Sequence, residues 1–88
     1  MSDYQPIQCQ RYDFIEIACM RRYLLSIELN DETTLVGTAI DTKTQADKTE
    51  WLIIEQDGQS QSIRLDTIIA ITPLTANAEF RRELIAGS

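Results

Sequence analysis

The sequence contains no histidine and only two cysteines, Cys9 and Cys19, with no CxxC spacing. Zinc sites are built from these residue types at short, regular separations, so no metal ligand set is assigned. No glycine-rich phosphate loop is present, and no serine or cysteine lies in a nucleophile motif. Asp13 and Glu16, three apart, suit a helix surface stripe as well as a pair of catalytic carboxylates. We therefore assign no catalytic residue and no cofactor, and expect a protein that is not an enzyme. No apolar run approaches the roughly 20 residues needed to span a bilayer. The opening residues, MSDYQPIQCQ, lack the basic and apolar regions of a signal peptide. The expectation is a soluble, cytoplasmic protein with no membrane partner.

Basic residues are also scarce: 8 Lys and Arg stand against 14 Asp and Glu, a net charge of −6. The excess is local. Residues 28–57 hold Glu28, Asp31, Glu32, Asp41, Asp47, Glu50, Glu55 and Asp57 against Lys43 and Lys48, while acids and bases balance elsewhere. Such a surface disfavours phosphates and favours a basic partner. Only Arg21-Arg22 and Arg81-Arg82 are adjacent bases. An RNA-binding surface neutralises several phosphates at once, so direct nucleic-acid binding is disfavoured.

With 88 residues there is room for one domain and one core. The chain is organised around Trp51–Ile71 (WLIIEQDGQSQSIRLDTIIAI). In Trp51–Gln56, Leu52 and Ile54 point to one face and Trp51 and Ile53 to the other, so both sides need cover. Asp57-Gly58 supplies the positive-φ positions of a hairpin turn. Ile63 and Leu65 then alternate with polar residues, and the three-residue spacing of Leu65, Ile68 and Ile71 predicts a 3₁₀-like corner before a closing strand.

Upstream, residues 1–8 read as an extended lead-in, Pro6 biasing the residue before it away from helix. Cys9–Met20 reads as a helix with Phe14, Ile15 and Ala18 on the core side. Asp13, Glu16, Cys9 and Met20 lie opposite, with Tyr12 at the edge. Within that helix Cys9 and Cys19 stand about 15 Å apart at ~1.5 Å per residue. A disulfide needs under about 7 Å, so they cannot pair there. Strands follow at Leu24–Leu29 and Thr33–Ile40, joined by Asn30-Asp31-Glu32, with Gly37 at a bend or bulge. Residues 41–50, DTKTQADKTE, read as a polar loop. Pro73 ends the last strand, and residues 74–88 read either as a short helix from Asn77 to Gly87 or as a frayed tail. The fold class is α+β, mostly β: an N-terminal helix and a small five-stranded bent barrel of the Sm-like or SH3-like type over residues 1–73.

The exposed helix face offers Tyr12, Asp13, Glu16 and Met20 together. Tyrosine gives contact area at low entropy cost, and carboxylates match arginine forks. The plain alternative is an ordinary wet helix face with Tyr12 folded onto the barrel.

At these residues the chain resembles the Rho-binding antiterminator family (Rof/YaeO). The resemblance rests on Tyr4-Gln5-Pro6-Ile7, Cys9, Tyr12-Asp13, Glu16 and Ala18-Cys19, then Leu25–Leu29, Glu50-Trp51 and Arg64-Leu65-Asp66. It covers about residues 4–71 and leaves the tail after Pro73 outside. It implies an Sm-like fold with an N-terminal helix and an inhibitor of the Rho hexamer, bound to the basic N-terminal RNA-binding domain of Rho so that RNA is kept from its primary site. On that reading Asp13 and Glu16 stand where RNA phosphates would, beside Tyr12 and Met20. The loop 41–50, through Asp47 and Lys48, makes a second contact. Two stretches depart from the family pattern: Gln10-Arg11 stands where acids are common, and Ala46-Asp47-Lys48 replaces a basic-polar cluster. Two other functions compete: an Sm-like RNA-binding module, and a structural subunit of an Sm-like ring.

Overall fold

The structure, a computed structural model, describes residues 9–86. The extended lead-in expected over residues 1–8 lies outside the described residues. Helix α1 (Cys9–Met20) is followed by β1 (Leu24–Leu29), β2 (Thr34–Thr44), β3 (Glu50–Gln56) and β4 (Gln59–Arg64). A 3₁₀ turn at Leu65–Thr67 leads into β5 (Ile68–Pro73), and a two-residue strand, β6 (Glu83–Leu84), comes last. All pairings are antiparallel, in the order β4-β3-β2-β1-β5-β6.

Local chemistry accounts for most of these elements. The helix ends in a Schellman arrangement: Tyr23 N–H donates to Ala18 C=O at 2.9 Å and Arg22 N–H to Cys19 C=O at 3.2 Å. Arg22 takes the left-handed position usually given to glycine, with φ 54°. Arg21 and Arg22 thus form the cap, just beyond the last helical residue, Met20. In the first hairpin the Asp31 carboxylate accepts from Thr33 N–H at 3.0 Å. At the next tight turn Asp57 and Gly58 both have positive φ, 50° and 81°, between the paired residues Gln56 and Gln59, as a type I′ hairpin requires.

Strand β2 runs four residues further than its sequence suggested. Thr42, Lys43 and Thr44 pair with Leu52, Trp51 and Glu50, so only residues 45–49 remain as a turn. A one-residue bulge at Ile40 resets the register between Ala39 and Asp41. Bulges bend strands and raise their twist, which lets so long a strand curve around a small core. Gly37 lies close against β3: a Cβ there would fall 2.8 Å from Cδ1 of Ile54 and 3.2 Å from the Glu55 carbonyl oxygen, so a larger residue would make the Ile54 side chain shift.

The largest correction concerns the tail. Residues 74–86 form neither a helix from Asn77 nor a frayed end: Asn77 has φ 61°, and β6 pairs with β5. Phe80, Ile85 and Ala86 are buried in the same core as the barrel strands. The bare edge of β5 is the reason. Its carbonyls at Ile69 and Ile68 accept from Ile85 N–H at 2.8 Å and Ala86 N–H at 2.9 Å, and that tertiary demand overrides a weak local helix propensity. Among the described residues the sheet therefore has six strands, one more than expected. The fully buried centre of the core is Ile15, Leu25, Ile27, Leu52, Ile54, Leu65, Ile68, Ile71 and Ile85, each contributing about 1.5–3 kcal/mol of burial.

Candidate partner-binding site on the N-terminal helix

The helix is fixed by its inner side. Ile15, Ala18 and Cys19 are buried, and Phe14 and Ile17 pack against the core. The Phe14 ring meets Phe80 with centroids 5.1 Å apart, and Phe80 meets Tyr23 at 5.8 Å, within the range of favourable tilted pairs. With this side anchored, the helical repeat sends Asp13, Glu16 and Met20 outward on one face. All three are exposed, Met20 at 75 %.

Tyr12 behaves differently from its neighbours. It is half-buried against the core, and its hydroxyl bonds with the Thr42 side chain on β2. Burial raises its pKa, and the nearby carboxylates of Glu50 and Glu16 push the same way. So Tyr12 packs against the core, and its phenol lies near acids of the helix and of β3. Cys19 carries the same signature: burial, then Asp41, raise its thiol to about 11. It is a free thiol.

These couplings single out two acids, Asp41 and Glu50, that the sequence offered only as members of the 41–50 loop. Asp41 and Thr42 border a shallow groove with Glu16, Cys19, Met20 and Arg22, and Glu50 lies beside Tyr12. Both acids fall in the stretch that sequence alone reads as loop. Once β2 is extended and pairs with β3, they join the helix acids. The signal was the local charge excess; the register that aims it was missing.

Asp47 and Lys48 lie in the short β2–β3 turn, both exposed. Lys48 has φ 69°, and its N–H donates to Gln45 C=O at 2.8 Å. The Asp47 carboxylate accepts from Thr49 N–H at 3.1 Å and Thr49 Oγ1 at 2.7 Å, which holds it below the ordinary carboxylate range. Thr49 Oγ1 in turn accepts from the Trp51 indole N–H at 2.8 Å. The turn is thus preorganised, and Glu50 links it to the Tyr12 side of the helix. Arg11 lies on the other flank, in a groove with Asp13, Phe14 and Leu84. Among the described residues no group of three His, Cys, Asp or Glu is placed to hold a metal ion, and no helix is long and apolar enough to cross a membrane.

Comparison with known proteins bears on family and fold. A family model described as modulator of Rho-dependent transcription termination (ROF) matches residues 6–85, so the match includes the tail and β6. Protein rof of Escherichia coli (strain K12) is 36% identical over 69 residues, covering 78% of this chain and 81% of the relative. Protein rof of Shigella flexneri matches to the same extent. A solved structure of YaeO bound to magnesium, from Vibrio cholerae O395, superposes with a TM-score of 0.75. It is 20% identical and covers 83% of this chain and 95% of its own, a likeness of fold. The chain belongs to the ROF family, described as modulators of Rho-dependent transcription termination.

Proposed function

We propose that this protein inhibits Rho stoichiometrically, by seating the acidic outer face of α1 on the basic RNA-binding surface of the Rho N-terminal domain. The observation that carries the reading is the state of Asp13 and Glu16. Both are exposed, and neither is in an ion pair among the described residues. Carboxylates held ready on a rigid helix match the arginines and lysines that a polyanion site must contain. Asp41 and Glu50 extend the acidic face toward the β2–β3 turn, where Asp47 and Lys48 make the second contact. Met20 supplies an adaptable apolar contact at the end of the helix. RNA and this protein would then compete for the same cations.

The test is capture of purified Rho by this protein, repeated with excess cytidine-rich RNA. RNA should displace the protein, and binding should weaken as salt rises. Asp13→Lys with Glu16→Lys should leave the fold intact and abolish capture, because each desolvated charge contact is worth about 1.5–3 kcal/mol. A folded double variant that binds Rho like the wild type would remove the helix face from the interface. Binding untouched by RNA would place the contact away from the RNA site.

A further inference from the structure

We propose that β6 is an intramolecular edge guard, occupying the β5 edge that would otherwise accept the β4 edge of a second copy of this chain. The inference rests on the sheet, independently of Rho binding. Among the described residues, strand β4 is at one end of the order and pairs only with β3. Its residues Gln59, Ser60, Gln61 and Ser62 are exposed, and none is a proline, a lysine or a bulge, the usual defences of an open edge. At the other end, β5 pairs with β1 on one side and with β6 on the other.

Without β6, the outer edge of Ile68–Ile71 would be bare: a β-branched, apolar strand with unpaired carbonyls at Ile68 and Ile69. One open edge at each end of the sheet is the condition for a head-to-tail contact, which propagates into a ring or a filament. Closing one of them suffices to stop it. The edge that β6 itself presents is two residues long, too short to template a strand.

The segment is built to stay in place. Phe80 is wedged against Phe14 and Tyr23, and Glu79 N–H donates to the Tyr23 hydroxyl at 2.8 Å. Arg82 grips Glu28 with two hydrogen bonds, at 2.7 and 3.0 Å, and Arg21 pairs with Glu79. Held by these contacts, β6 meets the β5 edge as an intramolecular competitor at high effective concentration.

The test compares the full chain with a variant ending at Arg82, which keeps Phe80 and the Arg82–Glu28 pair but lacks β6. Near-ultraviolet circular dichroism reports folding, and light scattering reports mass across a range of concentrations. The full chain should keep the mass of one copy, while the shortened chain should at least double its mass as concentration rises. A synthetic peptide of residues 78–88, in excess, should return it to one copy. Ser60→Lys with Ser62→Lys in the shortened chain should also return it, by charging the β4 edge. Ile85→Pro in the full chain is the second route, removing the N–H that Ile69 C=O accepts while keeping Phe80. A folded shortened chain that stays at one copy would overturn the proposal, as would association indifferent to the β4 lysines. If neither variant folds, β6 is part of the folding core and the guard reading fails.

Discussion

Helix α1 and the segment 79–86 meet through Phe14 and Phe80, yet they use their charges in opposite ways. In the C-terminal segment Glu79 is paired with Arg21, and Arg82 with Glu28. On the outer face of the helix, Asp13 and Glu16 take part in no ion pair among the described residues. Elsewhere Asp31, Asp47 and Asp66 are also engaged, by Thr33, Thr49 and Arg64. The difference teaches that net charge is a poor guide to where a partner docks. An acid neutralised by an ion pair within its own chain brings little charge to an interface, whereas Asp13 and Glu16, and Asp47 held by neutral Thr49 donors, keep theirs for the contact we propose.

The comparison can be broken most forcefully at Phe80. Its ring is 8 % exposed and touches both Phe14 and Tyr23, so Phe80→Ala should cost about 3–5 kcal/mol. Denaturant unfolding measures it. The Asp13→Lys, Glu16→Lys variant should shift the same curve by within about 0.5 kcal/mol while losing Rho. A Phe80→Ala chain as stable as the wild type would show that the segment is an ornament of the fold.

A smaller effect should follow from Tyr23→Phe. The ring contact with Phe80 survives, but Glu79 N–H loses the hydroxyl that accepts it at 2.8 Å. A partly buried donor left unpaired costs about 1–3 kcal/mol, and the amide of Glu79 should exchange with solvent faster. Unchanged exchange there would mean that the segment is held by its apolar contacts alone.

Those two tests fall on residues the sequence did not place, and the reason is physical. The elements legible in advance carry their own instructions. Cys9–Met20 has an apolar stripe, Leu25–Leu29 alternates apolar and polar residues, and Asp57-Gly58 can hardly do anything but turn. The Leu65, Ile68, Ile71 spacing likewise announced the 3₁₀ corner that the structure shows. Residues 41–44 and 83–86 have no such local code. The first become strand because Glu50–Leu52 offer a partner across a bulge, the second because β5 has an open edge. Both depend on register, which a single polar stretch does not encode. The site shows the same division. Asp13, Glu16 and Met20 follow from helical periodicity, whereas Asp41 and Glu50 join them only once β2 is extended.

The inner side of the helix can be probed by pH. Burial, and then Asp41, raise the Cys19 thiol from 9.0 to about 11. For such a group the folded state keeps its proton while the unfolded chain gives it up, so the contribution to stability is complete below about pH 9 and declines as pH rises toward 11. The stability gap between the wild type and Cys19→Ala should therefore narrow through that window. In a Cys9→Ser background, Cys19 should resist iodoacetamide at neutral pH until the chain unfolds. Rapid alkylation of the folded chain would place the thiol at the surface, on the side we assign to the partner.

The mildest test is at acid pH, on the pair that fastens the C-terminal segment. Arg82 holds the Glu28 carboxyl below its ordinary 4.5, chiefly through their hydrogen bonds. A lowered carboxylate contributes stability above its unfolded pKa and loses it as pH falls through the folded value. Glu28→Gln should thus be slightly less stable than the wild type at pH 7, and the gap should close below about pH 4.5. Both side chains are well exposed, at 54 % for Arg82 and 36 % for Glu28, so added salt should shrink the gap at neutral pH too. Asp13→Asn, which breaks no ion pair among the described residues, should show no gap at pH 7. An Asp13→Asn chain destabilised as much as Glu28→Gln would mean that the helix acid is also held by its own chain, and the contrast between the two regions would disappear.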